Sequence, residues 1–291
     1  MTTLKIGDIV SRKSYGSDIL FKVVDIKKDG NNKIAVLNGL CFRLEADAPE
    51  TDLVIRNEEY IRSYNEKMKR SINLKIQDLN NSYTTAVKKK FYYNNWARDK
   101  RKFAKPGKVL HIDGDKDYLE ACMEQYKKFK IEAIGVYVKE KDQPSRVREL
   151  LEQYRPDILV LTGHDGVIKK DTDYSNINNY RNSKYYIQSV KEARKFEKDL
   201  DSLVIFAGAC QSMYDKLIEA GANYASAPYR VLIHALDPVL ICQKIAYTKI
   251  DKVVNPEEIV NKTITGSKGI GGIETKGRYR DGFPKEPYND K

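Results

Sequence analysis

The chain has 291 residues, with 52 Lys and Arg against 41 Asp and Glu, for a formal charge of +11. At 41% hydrophobic and 32% charged, it is too apolar for a disordered chain and too charged for a membrane protein. No run approaches the roughly 20 apolar residues of a membrane helix, and MTTLKIGDIV lacks the basic and apolar regions of a secretory signal. The four cysteines, Cys41, Cys122, Cys210 and Cys242, have no CxxC spacing and there are three histidines, so neither a disulfide scaffold nor a zinc site is expected and a reducing, cytoplasmic compartment is the default. Length alone suggests about two domains. The basic charge points to acidic partners, or to nothing beyond a lysine-rich composition.

Residues 1–55 hold short apolar runs, IGDIV, ILFKVVDI, KIAVLNGL and DLVI, separated by turn residues such as SYGSD and KKDGNNK. This is the pattern of a small SH3-like β-barrel, a docking module without a catalytic cluster. Residues 56–107 read as a helical and basic linker. Within it Ile61, Tyr64, Met68, Ile72, Ile76, Leu79 and Tyr83 recur at helical spacing over 57–85. Residues 88–108 carry nine Lys or Arg against one Asp, interleaved with Phe91, Tyr92, Tyr93, Trp96 and Phe103. Basic plus aromatic character is what single-stranded nucleic-acid binding uses, but an exposed linker anchored by its aromatics accounts for it better, and nucleic acid is not expected as a partner.

From 108 to 265 the chain alternates strand and helix. The runs KVLHI, IEAIGVYV, DILVLTG and SLVIFAGA read as strands, the last two apolar on both faces. Helices between them carry Leu119, Cys122, Tyr126 and Phe129, then Val147, Leu150, Leu151 and Tyr154, then Tyr186, Val190, Ala193 and Leu200. Further helices are expected at 211–220 and 237–247. The fold class is therefore α/β, a parallel sheet flanked by helices. The tail 266–291 is rich in glycine and reads as loop or a mobile arm; its GSKGIGG has no strand before it and no helix after it, so it is discounted as a phosphate cradle.

Catalytic groups collect at the carboxyl ends of parallel strands. DILVL runs into Thr162-Gly163-His164-Asp165-Gly166, and SLVIFA into Gly208-Ala209-Cys210-Gln211-Ser212. A helix starting directly after Cys210 would lower its thiol pKa, and His164 would move the proton between thiol and leaving amine. Against this, a lone Cys after a strand is often a small buried hydrophobe; two such residues on successive core strands favour a dyad. His111 lies in a strand, His234 on an expected helix, and Cys41, Cys122 and Cys242 at strand or helix core positions, so each reads as structural. The His precedes the Cys by 46 residues, the order and approximate spacing of caspase-like peptidases and the reverse of papain-like enzymes and class I glutamine amidotransferases. In that clan a Gly directly follows the His and lends its amide to the oxyanion hole; here Asp165 stands before Gly166. The expected donors are thus Cys210 first, with Asp165 or Gly166 second.

The segments IGDIVSRKSYGSDILFKV, KVLHIDGD, DILVLTGHDG, FAGACQSMYDKLIEAGANYASAP and GIGGIETKGRYRDGFP resemble the sporulation-specific protease YabG family over nearly the whole chain. The resemblance implies an endopeptidase of the mother cell that processes spore coat and related morphogenetic proteins; cortex-associated proteins are also expected as partners, whereas a membrane and a cofactor are not. In the caspase-like clan a residue ending the first core strand lines the P1 pocket. That position reads His111-Ile112-Asp113-Gly114-Asp115, so Asp113 and Asp115 would select Arg or Lys, unless they only form a turn and a helix cap. With a basic P1 preference, RDKRK at 98–102 becomes a self-cleavage site. The rival readings are a Cys-dependent amidase or amidotransferase-like hydrolase and a non-catalytic coat or nucleic-acid adaptor. Neither oligomeric state nor cleavage sites follow from the sequence.

Overall fold

Alternating apolar residues between Ile9 and Ile55 fold, in the computed structural model, as five antiparallel strands: β1 (Ile9–Arg12), β2 (Phe21–Asp29), β3 (Asn32–Gly39), β4 (Glu45–Pro49) and β5 (Leu53–Ile55). The structure describes residues 4–29, 32–93, 103–168 and 173–285. The strand order is β4-β3-β2-β1-β5, and one face buries Val10, Phe21, Val23, Ala35, Leu37 and Ala48. Asn57 accepts the Tyr60 amide at 2.9 Å and starts α1 (Glu58–Tyr93), which runs beyond the 57–85 expected. Ile76 of this helix packs against the main core. The segment 98–102, expected as a self-cleavage site, lies outside the described residues.

After β6 (Phe103–Lys105) the alternation begins: β7 (Val109–Asp113), α2 (Lys116–Lys128), β8 (Ala133–Tyr137), α3 (Gln143–Tyr154), β9 (Ile158–Thr162), α4 (Ser183–Phe196), β10 (Val204–Ala207), α5 (Tyr214–Glu219), β11 (Tyr224–Ser226) and α6 (Asp237–Tyr247). The chain ends in β12 (Val253–Val254), α7 (Pro256–Val260), β13 (Ile270–Gly272), β14 (Thr275–Lys276) and β15 (Arg280–Gly282). The large sheet has the order β13-β11-β10-β9-β7-β8. Its pairings from β8 to β11 are parallel, and β13 closes the edge antiparallel to β11. Because successive strand residues point to opposite faces, Val109, Val160 and Phe206 pack under α2 and α6, while Leu110, Ile112, Leu159, Leu161 and Ile205 pack under α3 and α4. Both faces are covered, which is why these strands read as continuous apolar runs. No described helix is long and apolar enough to cross a membrane.

Four expectations differ from the structure. The helix after Cys210 starts four residues later, at Tyr214, and is six residues long. His234 precedes α6 and pairs in a β-bridge with Phe42; Cys41 likewise lies between strands. The glycine-rich tail read as loop supplies the edge strand β13. A Cβ on Gly271 would stand 2.6 Å from the Tyr214 hydroxyl, so two of the three residues of this strand are glycines beside the buried Ile270, and that leaves no apolar period to read.

Gly271→Val should therefore lower stability by about 1–3 kcal/mol, the usual cost of overpacking, read as a fall in thermal midpoint. The same change at exposed Lys268 should leave the midpoint within about 0.5 kcal/mol of wild type.

Candidate active site

Three neighbouring strands, β7, β9 and β10, end on the same edge of the parallel sheet. Their carboxyl ends carry Asp113, the Thr162–Asp165 turn and the Gly208–Ser212 turn. The sheet order reverses between β7 and β9, the place where open α/β sheets leave a crevice for ligands.

The Cys210 turn is tightly built. Gly208 has φ +105, and a Cβ there would lie 2.9 Å from Leu217 Cδ1. Gln211, directly after the cysteine, sits in the left-handed region at φ +56, where a non-glycine side chain is strained. Two serines hold the turn through one carboxylate. Ser212 donates to Asp165 at 2.8 Å and accepts the Ala209 amide at 2.9 Å. Ser183 donates to Asp165 at 2.5 Å and accepts the Met213 amide at 2.9 Å. Asp165 also accepts the amides of Gly166 and Asn182. Burial pushes its carboxyl up to about 6, against the pull of these four donors.

The Cys210 thiol is fully buried. It accepts the Ile233 amide at 3.2 Å and faces the Ile233 carbonyl at 3.6 Å. Burial raises its pKa well above the ordinary thiol value, and the Ile233 amide only partly offsets this. No helix starts at Cys210, so the helix N-terminus expected to lower the thiol pKa is absent there. The His164 side chain is 3% exposed. It lies under the Tyr118 ring, centroids 5.2 Å apart, with Nε2 3.7 Å from Asp115 and Nδ1 3.8 Å from Glu140. Glu140 also accepts the His164 amide at 2.7 Å. No hydrogen bond joins the imidazole to the thiol, and Nε2 is buried without a hydrogen-bond partner.

The backbone of Arg43, from the loop joining β3 to β4, touches both turns. Its carbonyl oxygen accepts two amides, Cys210 at 3.1 Å and Asp165 at 3.2 Å. The Gly166 amide, the third expected donor, turns instead to the Asp165 carboxylate at 2.9 Å. The Arg43 guanidinium reaches Asp113 at 2.8 Å, the Ala235 carbonyl at 3.0 Å and the Gly163 carbonyl at 3.5 Å, with the Tyr118 ring 5.1 Å away. Asp113 also accepts from Thr162 at 3.0 Å and from the Asp115 amide at 2.9 Å, and His111 Nε2 is 3.2 Å away. Burial alone would raise the Asp113 carboxyl; the Arg43 charge and the His111 bond outweigh it and hold the group well below the carboxylate range.

The other candidates take structural places. Asp115 caps α2 by accepting the Tyr118 amide at 2.9 Å and turns its other oxygen toward His164. His111 is buried between Tyr126 and Thr162, and burial lowers its pKa. His234 is lowered to about 4, by burial first and then by the Arg43 charge. Cys122 is pushed up to about 12 by burial. Among the described residues no group of three or more His, Cys, Asp or Glu is placed to hold a metal. Arg43, Tyr118, Glu140, Ser183 and Ser212 escaped sequence reasoning. The one visible sign was Arg43 itself, a charge between apolar Phe42 and Leu44.

The family model described as YabG peptidase U57 matches residues 5–284. The sporulation-specific protease YabG of Bacillus subtilis (strain 168) is 43% identical over 285 residues, covering 96% of this chain and 98% of that protein. No solved structure matches the chain.

The Asp165 carboxyl sets a pH dependence. Its folded-state pKa of about 6 exceeds the unfolded value of about 3.9. The favourable contribution to folding is fully present below pH 4 and is lost as pH rises through 6, by up to about 1.4 kcal/mol per unit. In Asp165→Asn, urea unfolding at several pH values should lack this component between pH 4 and 6. Each serine hydroxyl would then face an amide donor on both sides, so the Cys210 turn should also loosen, seen as faster amide exchange at Ala209 and Met213.

Proposed function

Because the chain belongs to the YabG peptidase U57 family, we propose that it is a cysteine endopeptidase of sporulation that cuts after arginine, and after lysine less well. The observation that carries this is a single carbonyl: the oxygen of Arg43 lies between the amides of Cys210 and Asp165 while the Arg43 side chain rests on Asp113. A peptide carbonyl held by two amides beside a cysteine and a histidine is an acyl-transfer geometry, since both donors strengthen as negative charge develops on that oxygen. The carboxylate that receives the side chain gives the site a reason to prefer a guanidinium, which it can grip as a planar fork.

In this reading Cys210 Sγ attacks the carbonyl carbon, and His164 carries the thiol proton to the leaving amine. The thioester is then hydrolysed by water, with His164 taking the water's proton. Asp115 and Glu140, 3.7 and 3.8 Å from the two imidazole nitrogens, are the carboxylates that orient the ring. Asp113 reads P1; Asp115 is occupied as a helix cap and helps His164 rather than the substrate side chain. The carboxyl-end placement of the two residues and the strand order fit a caspase-like domain, and the order β5-β1-β2-β3-β4 fits an SH3-like module. The spore coat, cortex-associated and morphogenetic proteins of the mother cell are the proposed substrates, on the strength of the family.

Cys210→Ala and His164→Ala should each lower kcat/KM on an Arg-containing peptide by about 10³-fold or more, while Cys122→Ala and Cys242→Ala keep activity. Full activity in Cys210→Ala would end this reading. Asp113→Asn should lower kcat/KM for Arg substrates by roughly 30-fold or more, the loss of a desolvated charge partner, and narrow the ratio of Arg to neutral P1. Because it also leaves Arg43 buried without its counter-ion, it should lower stability by about 3–5 kcal/mol, measured by chemical denaturation beside the kinetics.

A further inference from the structure

The loop that reaches the site is joined to it like a bound peptide. Residues 41–43 lie antiparallel to 233–235: the Arg43 amide donates to the Ile233 carbonyl at 3.3 Å, the Ala235 amide to the Cys41 carbonyl at 3.1 Å, and Phe42 faces His234. This is strand addition, the way extended peptides engage an exposed edge. On the other side of the Arg43–Leu44 bond, Leu44 pairs with Asp165 and the Glu45 amide donates to the Asp165 carbonyl at 3.0 Å. The bond is thus clamped on both sides, its carbonyl in the two-amide cradle and its arginine on Asp113.

We propose that the loop between β3 and β4 is an internal substrate, and that Cys210 cuts the chain's own Arg43–Leu44 bond. The inference rests on the cysteine-peptidase reading above. Sγ bonds to the Arg43 carbonyl carbon and the bond to the Leu44 nitrogen breaks, the thiol proton passing through His164 to that nitrogen. Water then hydrolyses the thioester, leaving a carboxylate on Arg43 and restoring the thiol. Until the bond is cut or the loop withdrawn, no other peptide can enter the cradle, because Arg43 occupies both the oxyanion donors and the P1 carboxylate. The cut separates β3 from β4 in sequence but not in space: Ile34–Asn38 stay paired with Glu45–Pro49, so the nicked molecule holds together through its sheet.

The test is intact-mass analysis, under denaturing conditions, of purified wild type, Cys210→Ala and Arg43→Lys over time, beside cleavage of an external Arg peptide. Wild type should yield one fragment ending at Arg43 and one beginning at Leu44, at a rate independent of protein concentration. Cys210→Ala should stay whole, also when mixed with active wild type, since its bond lies inside its own cleft. Arg43→Lys, which keeps the charge, should be cut at least tenfold more slowly, the fork being lost. If wild type cuts the external peptide in a Cys210-dependent way while the 43–44 bond stays whole, or if the rate rises with concentration, the internal-substrate inference is overturned and the peptidase reading stands. If Cys210→Ala cuts the external peptide as wild type does, it is the peptidase reading that fails, and the inference falls with it.

Discussion

The ion pair between Arg43 and Asp113 is the contact on which the rest of the arrangement depends. Both side chains are fully buried, so each has lost its water. Such a pair gains little for stability over apolar residues of the same size, and breaking it from one side is costly because the other charge is left alone. Its geometry is correspondingly complete around the carboxylate, with Thr162 and the Asp115 amide adding donors and His111 alongside. The guanidinium spends its remaining donors on the Ala235 and Gly163 carbonyls and the Cys122 sulfur. One arginine therefore reaches the ends of β7 and β9 and the segment before α6 at once, and binds the N-terminal sheet to the larger one. A pair that is weak as a stabiliser but exact in its demands suits specificity better than stability.

Two further constraints follow from where the parallel strands end. Since β7, β9 and β10 are adjacent and in register, the side chain that receives the guanidinium, the histidine and the cysteine fall on one sheet edge without any long-range loop having to gather them. The turns then need their own support. Asp165 gives it by taking four donors, two of them serine hydroxyls that in turn hold the amides of Ala209 and Met213. The same residue turns its amide to the Arg43 carbonyl. Its side chain thus supports the Cys210 turn while its backbone amide, with that of Cys210, holds the Arg43 carbonyl, a double duty that a glycine at this position could not perform.

Much of this was legible before any coordinates. The apolar runs before His164 and Cys210 are two buried neighbouring strands, as their composition suggests. Asp113 was visible as the end of the first core strand. The rest was hidden for physical reasons. Arg43 lies some 120 residues before His164 and acts through tertiary pairing, which periodicity cannot register. The strand Ile270–Gly272 needs glycines to clear Tyr214 and Tyr224, and so carries no alternation. The helix near Cys210 was placed too early because the turn of Gly208 and Gln211 must reverse the chain first, and that turn depends on serines whose partner, Asp165, is distant in sequence.

The central claim is that Cys210, the two amides and Asp113 form one arginine-reading acyl-transfer site. The most direct measurement is covalent labelling with a peptidyl acyloxymethyl ketone ending in arginine, followed by mass spectrometry of the peptides. A single adduct should form on Cys210, absent when the reagent ends in aspartate and lost in His164→Ala. Labelling of Cys41, Cys122 or Cys242 in place of Cys210, or equal labelling by the arginine and aspartate reagents, would contradict it.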